Sequence, residues 1–429
     1  MKNFDNYDAF EEVPYSGQEI LGSRYVLTQK DSGVVKARFV VKGFQEGCKA
    51  QSDSPTASRE TLKIFLAIVA NEKWSLRSND VKSAFLQSHK IDRDIFVKPP
   101  PEREKDGIVW KLKKPVYGLV DASRKWFLTV KHFLESVGMK QSLGDSCLFA
   151  YRIKGKLEGL MIFHVDDFLA AGGDLFERNI IQPLMQQFCF GKRSEGSFTY
   201  TGISIQQDEN KTIAIDQNEF VQSLPNYEYR RQDPESILEK DENNKIRKTA
   251  GQLNWVSSQT RPDLPFDAFK LSTCLGKATH KDAKYSSKVI LKSKYENVSL
   301  NFSHLGNWKK LHLELYVDAA LGNVEEDQKT KSMMGYIILL CDDNGNFSPI
   351  HWKSKIIDRV APDVKTAETI ALETALDDAI FISKIISEIY TGDVNESNIP
   401  IAINEDSKSL VESLLSTKKV KRKSMRLAI

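Results

Sequence analysis

Cysteine is scarce in this 429-residue chain: the five, Cys48, Cys147, Cys189, Cys274 and Cys341, are widely scattered and form no Cys-x-x-Cys pair. That spacing argues against zinc and against a disulfide framework, and for reduced core or surface thiols. No apolar run reaches the roughly 18 residues of a membrane span, so no membrane partner is expected. The opening MKNFDNYDAFEEV lacks the basic and then apolar order of a secretory signal, which points to a protein that stays inside the cell. A strong excess of one charge is missing too. The formal net charge of +3 names no partner, although local clusters can. What is present, 41% hydrophobic and 28% charged residues, is the make-up of a soluble globular protein. The length exceeds one ordinary core, so two or three domains are expected.

The stretch LMIFHVDDFLAA, residues 160–171, sets two adjacent carboxylates, Asp166 and Asp167, inside an apolar run. Charge there is expensive unless paired, hydrogen-bonded or metal-bound. The run divides at the acids into two short buried strands, which puts the Asp pair at a hairpin turn. Two readings follow. Asp favours turns for its own sake, and two carboxylates at a hairpin tip suit a divalent cation with oxygen ligands, Mg²⁺ first. A third carboxylate on a neighbouring strand is needed if two cations are to sit about 3.5–4 Å apart for in-line phosphoryl transfer. Asp80, at the end of the strand-like WSLRSNDVKSAFLQ, is the candidate. Upstream, VVKARFVVKGF places Lys36, Arg38 and Lys42 on one strand face, either a solvated edge or a phosphate-gripping surface.

Further readings are local. SRETLKIFLAIVANE reads as a helix capped by Ser58, with Glu60, Thr61 and Lys63 as its polar face. Residues 225–247, rich in charge and poor in large apolar residues, read as a mobile loop or the edge of a thumb. Lys281, Lys284, Lys288 and Lys292 recur at helical spacing, a solvated face that is also placed to follow a phosphate backbone. Beyond Leu311 the pattern becomes a clean alternation, with Leu313, Leu315 and Val317 on one side and Asp318 on the other. Asp342-Asp343-Asn344-Gly345 signals a hairpin. TAETIALETALDDAIFISKIISEIY is a helix with Glu368 in its first turn, where the dipole favours a carboxylate. IPIAINED is a strand ending at Asp406, which also suits the cap of the next helix.

In their order and spacing, KARFVVKGF, DVKSAFLQ, KLKKPVYGLVDASRKWF, FHVDDF, FTYTGISI and RKTAGQLNWVSSQTRPDL resemble the reverse transcriptase of Ty1/copia-class retrotransposons. Asp318 followed by SMMGY, HWKSK before Glu368, and Asp406 with Ser409-Leu410 after it resemble a ribonuclease H domain. The resemblance implies an α/β (α+β) fold: right-hand polymerase fingers and palm (1–230), a thumb or connector (231–308), and a ribonuclease H-like mixed-sheet domain (309–429). It implies an RNA-directed DNA polymerase in which Asp80 and Asp166, with Asp167 beside them, hold Mg²⁺, or Mn²⁺ in its place. Phe85 matches the position under the sugar of the incoming nucleotide, where an aromatic ring favours dNTPs. Lys36 and Arg38 match the triphosphate-binding strand, and Tyr117-Gly118 the backbone lining nucleotide and template. Asp318, Glu368 and Asp406 would hold two metals that cut the RNA strand of an RNA–DNA hybrid. The implied partners are an RNA template, a DNA primer or RNA–DNA hybrid, dNTPs and other segments of a Pol polyprotein. The implied location is cytoplasmic, with a nuclear stage during transposition.

Three departures qualify the match. His164 stands where many members have Tyr, a fourth ribonuclease H acid is expected beyond Ile429, and Met1 is expected to fall inside the fingers. Asp31-Ser32-Gly33, of aspartic-protease type, has too little chain before it and reads as a turn; no integrase-like zinc motif occurs. Two rival functions stand beside the polymerase: a non-catalytic, nucleic-acid-binding transposon relic that keeps the fold, and a hydrolase in which only the C-terminal site works.

Overall fold

The computed structural model of the chain describes residues 1–29, 33–47, 51–227, 233–326, 329–395 and 399–416. Asp31 and Ser32 of the turn triplet, and the basic tail from Lys418, lie outside these residues. Packing divides the chain into two units, Met1–Ala57 with Arg77–Lys154 and Glu158–Ser194, and Ser58–Leu76 with Gly155–Leu157 and Glu195–Ile429.

The first unit is organised by a six-stranded sheet in the order Phe190–Glu195, Arg77–Val81, Asp167–Gly172, Lys156–His164, Leu148–Ile153, Met139–Gln141. The apolar run around the acids supplies two central strands, paired antiparallel from Gly159↔Gly172 to His164↔Asp167. Alternation puts Met161, Phe163 and Phe168 on one face. There they share a core with Trp126, Phe127, Val130 and Leu134 of the helix Ala122–Ser136. The turn is Val165-Asp166, and Asp167 is already the first residue of the returning strand, which corrects the expectation that both acids occupy the turn. Ser23–Gln29 and Val35–Val41 form a separate antiparallel hairpin with Val26 opposite Arg38. Its Phe39 joins Phe4 and Trp110 in a second core. Arg93 pins this region by pairing with both Glu46 (2.6 Å) and Asp121 (2.6 Å).

In the second unit the helix Arg59–Asn71 starts as expected, with the Ser58 hydroxyl accepting the Thr61 N–H at 3.0 Å. Its expected polar face fails at two of three positions: Thr61 and Lys63 are buried, and only Glu60 is partly exposed. The reason is a partner far away in sequence. The helix packs on the strand Phe347–Ile356, and the Lys63 ammonium lies 4.4 Å from the centre of the Trp352 ring. At its other end the buried Asn71 accepts the Leu305 N–H (2.9 Å) and donates to the Gly306 carbonyl (3.0 Å), so its amide is satisfied.

Of the two readings of residues 225–247, the loop fails from Lys240, where the helix Lys240–Gln259 begins. Its apolar stripe begins only at Ile246 and continues through Ala250, Leu253 and Val256, so its first turns look like a charged loop. Arg261, almost fully buried, grips Asp263 and the carbonyls of Ser293 and Glu296, which makes the RPD segment a structural clasp. Lys281, Lys284, Lys288 and Lys292 all lie on the exposed face of the helix His280–Tyr295.

The last sheet runs Phe347–Ile356, Lys329–Cys341, His312–Glu326, Ile401–Asn404, with the final pair parallel. Leu313, Leu315 and Val317 turn inward beneath the helix Val364–Thr391, as their alternation predicts. Asp363 caps that helix by accepting the Thr366 N–H (2.9 Å). The helix therefore begins earlier than expected, Glu368 falls in its second turn, and the dipole account of Glu368 weakens. No helix among the described residues is long and apolar enough to cross a membrane.

Candidate active sites

The first candidate site is written into strand register. Asp167 stands directly opposite Asp80 across neighbouring antiparallel strands, so both carboxylates leave the same face of the sheet. Asp166 precedes Asp167 in the turn, and its carbonyl accepts the Val81 N–H at 3.0 Å, which ties the turn to the Asp80 strand. Val165 is held at φ +58°, a region a β-branched residue avoids. Its carbonyl is fixed by the Trp126 indole N–H at 2.7 Å. Burial raises the pKa of Asp167, the negative charges of Asp166 and Asp80 add to this, and His164 offsets part of it. Asp167 thus carries its charge part-buried and under the influence of two further carboxylates, a concentration of negative oxygen donors that a hard divalent cation relieves, so the residues fit the metal role assigned to them.

Around these acids the structure gathers most of the expected nucleotide contacts. The Phe85 and Tyr117 rings meet edge to face at 4.8 Å, and the Arg38 guanidinium lies 6.0 Å from the Tyr117 ring centre. Burial and the Asp166 charge raise the Tyr117 pKa while Arg38 lowers it, so this ring lies within electrostatic reach of both groups. Lys36, two residues from Arg38 on the same strand, is exposed. Gly118 has φ +94°, and a Cβ there would meet the Val41 carbonyl oxygen at 2.0 Å. Only glycine lets the Tyr117-Gly118 backbone lie against the strand Val35–Val41, where the Val41 N–H donates to the Tyr117 carbonyl (2.8 Å). Sequence reasoning missed two neighbours. Trp126 lay inside a quoted motif without a role, and Gly191 approaches Asp80 so closely that a Cβ would sit 2.8 Å from its Oδ2.

The second candidate site closes more tightly. Asp318, Glu368 and Asp406 each offer a carboxylate oxygen, and these lie within 4.8 Å of one another. Asp318 and Asp406 are exposed, whereas Glu368 is buried and its Oε2 has no hydrogen-bond partner among the described residues. Burial first, then the charges of Glu405, Asp318 and Asp406, push the Glu368 carboxyl up to about 7. An orphaned buried oxygen beside two further acids fits a divalent cation. Asp406 is not the helix cap that the sequence allowed: Ser407 precedes the helix Lys408–Leu414, and Glu405 accepts the Ser407 N–H (2.9 Å). Glu405 was overlooked, although the Glu-Asp doublet is plain in the sequence. A cleft of about 580 Å³ opens beside these acids, with Tyr316, Ile337 and Asn404 in its wall.

Comparison with known proteins bears on the family and the fold. The Pol polyprotein of transposon RE1 from Arabidopsis thaliana is 26% identical over 403 residues, covering 88% of this chain and 26% of the relative. The Ty1-LR2 Gag-Pol polyprotein of Saccharomyces cerevisiae is 26% identical over 193 residues, 44% of this chain and 11% of that protein. The chain thus spans about a quarter or less of the curated relatives it matches. Among solved structures, the foamy viral protease-reverse transcriptase dRH in complex with double-stranded DNA superposes with a TM-score of 0.58 at 13% identity, covering 99% of this chain and 64% of that one. At that identity the likeness establishes the fold, an α/β polymerase with a ribonuclease H-like part. The sequence model described as reverse transcriptase (RNA-dependent DNA polymerase) matches residues 7–228, just over half of the chain, and the chain belongs to that family.

Proposed function

We propose that the chain is an RNA-directed DNA polymerase of the Ty1/copia type that adds dNTPs to a DNA primer on an RNA template, with a ribonuclease H-like site for the RNA strand of the hybrid. The observation that carries the reading is the register pair Asp80–Asp167 with Asp166 beside it, within electrostatic reach of Tyr117, which touches Phe85 and has Arg38 near its ring. In this reading residues 1–230 are fingers and palm, 231–308 thumb or connector, and 309–429 the ribonuclease H-like part.

Asp80, Asp166 and Asp167 would hold the divalent cations, Mg²⁺ or Mn²⁺, whose chemistry when bound is to neutralise charge on the attacking and leaving oxygens. The protein supplies position. Trp126 and the Val81 N–H hold the turn so that the carboxylates need not reorganise during the reaction. Arg38 presents a fixed cation to a triphosphate, with Lys36 further out on the same strand. Phe85 fills the space beneath the sugar and would clash with a ribose 2′-hydroxyl. At the second site Asp318, Glu368 and Asp406 would hold metal for hydrolysis of the RNA strand.

The test is dNTP incorporation on poly(rA)/oligo(dT) with Mg²⁺, comparing the chain with Asp166→Asn and Glu368→Gln. Incorporation lost in the first variant and kept in the second, with hybrid cleavage showing the reverse, is the expected result. If neither the unaltered chain nor Asp166→Asn extends a primer that both bind, the polymerase reading fails.

A further inference from the structure

Away from both carboxylate sites, the last sheet brings together three donors of different chemistry. His312 and Glu314 lie two residues apart on the strand His312–Glu326 and so share a face. Cys341 stands directly opposite His312 on the neighbouring strand, which puts its side chain on that face as well. One donor atom from each of the three residues lies within 4.8 Å of the other two, with His312 Nε2 3.6 Å from Glu314 Oε1. The other carboxylate oxygen of Glu314 accepts the Tyr316 hydroxyl, which fixes the carboxylate and leaves Oε1 toward the imidazole. Outer hydrogen bonds of this kind orient metal-binding carboxylates. His312 and Glu314 are half-buried and Cys341 is buried, so a cation arriving from solvent meets nitrogen and oxygen first and sulfur beneath them.

We propose that His312, Glu314 and Cys341 form a binding site for a thiophilic divalent cation of the Zn²⁺ class, with water completing the fourth position. Imidazole, carboxylate and thiolate are zinc's donors, and bonds of about 2.0–2.3 Å place tetrahedral donor atoms about 3.4–3.7 Å apart, a spacing this cluster reaches by small side-chain closure. The thiolate discriminates against Mg²⁺, which takes oxygen ligands. The site cannot share an ion with the ribonuclease H-like acids. Asp318 lies four residues beyond Glu314 on the same strand face, about 13 Å away at about 3.3 Å per residue. A thiol binds such a cation as the thiolate, so the entering cation displaces a proton to solvent. Once bound, it would staple the first residues of the central strand to the hairpin partner.

The test is spectroscopic and independent of either activity. The full chain, stripped with chelator, is titrated with Co²⁺ and the thiolate-to-cobalt charge-transfer absorption is followed. One equivalent should develop the band, Cys341→Ser should abolish it, His312→Gln should weaken Co²⁺ binding at least tenfold, and Asp318→Asn should leave the band intact. Absence of the band in the unaltered chain, or its persistence in a folded Cys341→Ser, overturns the proposal. Should Cys341→Ser not fold, unchanged Co²⁺ affinity in both His312→Gln and Glu314→Gln overturns it equally.

Discussion

Replacing Lys63 by Met should stabilise the protein at neutral pH, against the usual outcome of altering a buried residue. Lys63 is 2% exposed and, among the described residues, has no carboxylate in contact and reaches only the Ser258 carbonyl at 3.4 Å and the face of Trp352. Burial pulls its pKa to about 8 from the ordinary 10.5 against the partial support of Glu60. At 1.36 kcal/mol per pKa unit, holding the ammonium costs the folded state about 3 kcal/mol. The interaction with Trp352 returns about 1–2 kcal/mol, which Met forfeits while keeping most of the chain's apolar volume. The net gain is about 1–2 kcal/mol at pH 7. Below pH 8 the lysine is protonated in both states and the penalty is complete. Between about 8 and 10.5 the unfolded chain keeps a proton that the folded chain has lost, so unaltered protein gains stability with rising pH. The advantage of Met should therefore disappear by about pH 10. Urea unfolding followed by tryptophan fluorescence at pH 7 and pH 10 measures it, with a midpoint shift of about 0.5 M at pH 7 for a slope near 3 kcal/mol/M. A variant destabilised equally at both pH values would refute the reasoning, because the ammonium would then be earning its place through contacts the structure does not contain.

Trp126→Phe removes the indole N–H that holds the strained Val165 turn; primer extension should fall about tenfold while primer-template affinity holds, read by single-turnover kinetics against filter binding. Gly118→Ala should cost more than about 3 kcal/mol, from positive φ and the overlap with the Val41 carbonyl, seen as loss of soluble folded protein or a large drop in Tm. His351 bridges Glu60 (2.9 Å) and Asp378 (3.3 Å). Burial opposes its charge, yet the two carboxylates raise its pKa, while His351 holds Glu60 at about 2 and Asp378 below the usual carboxylate range despite their burial. The imidazolium contribution is complete below about pH 6.5 and fades as pH rises through the raised value, and the carboxylate contributions persist above about pH 4.5 and fade toward pH 2. His351→Gln should thus lose about 1 kcal/mol more at pH 5.5 than at pH 8.5, measured by urea unfolding.

How much of this was legible depended on the range of the interaction. Alternation from Leu311 to Val317 reported a strand with Asp318 outward because both facts are local. The apolar run around Asp166 likewise reported its hairpin, although the single residue by which Asp167 leaves the turn needed the register. The polar face assigned to Thr61 and Lys63 failed because the helix packs on the strand Phe347–Ile356, a partner no helical period can announce. Residues 240–247 were misjudged because the stripe starting at Ile246 supports two earlier turns that carry no apolar signal of their own. The carboxylates of both sites were legible as chemistry. Their grouping across three or four separate elements was legible only through resemblance, and the His312–Cys341 pairing through neither.

The helix Arg59–Asn71 has one more consequence, for anyone who would handle the C-terminal part alone. Its residues lie, in sequence, inside the stretch that makes the first unit, yet its Asn71 and Lys63 complete the surroundings of Leu305, Gly306 and Trp352. The second unit is therefore not a detachable cassette. A fragment beginning near residue 309 would leave Trp352 and His351 bare and unmatched, and would aggregate or need its missing helix supplied as a separate peptide. Any proteolytic trimming that is to preserve the ribonuclease H-like acids must leave the distant N-terminal helix in place.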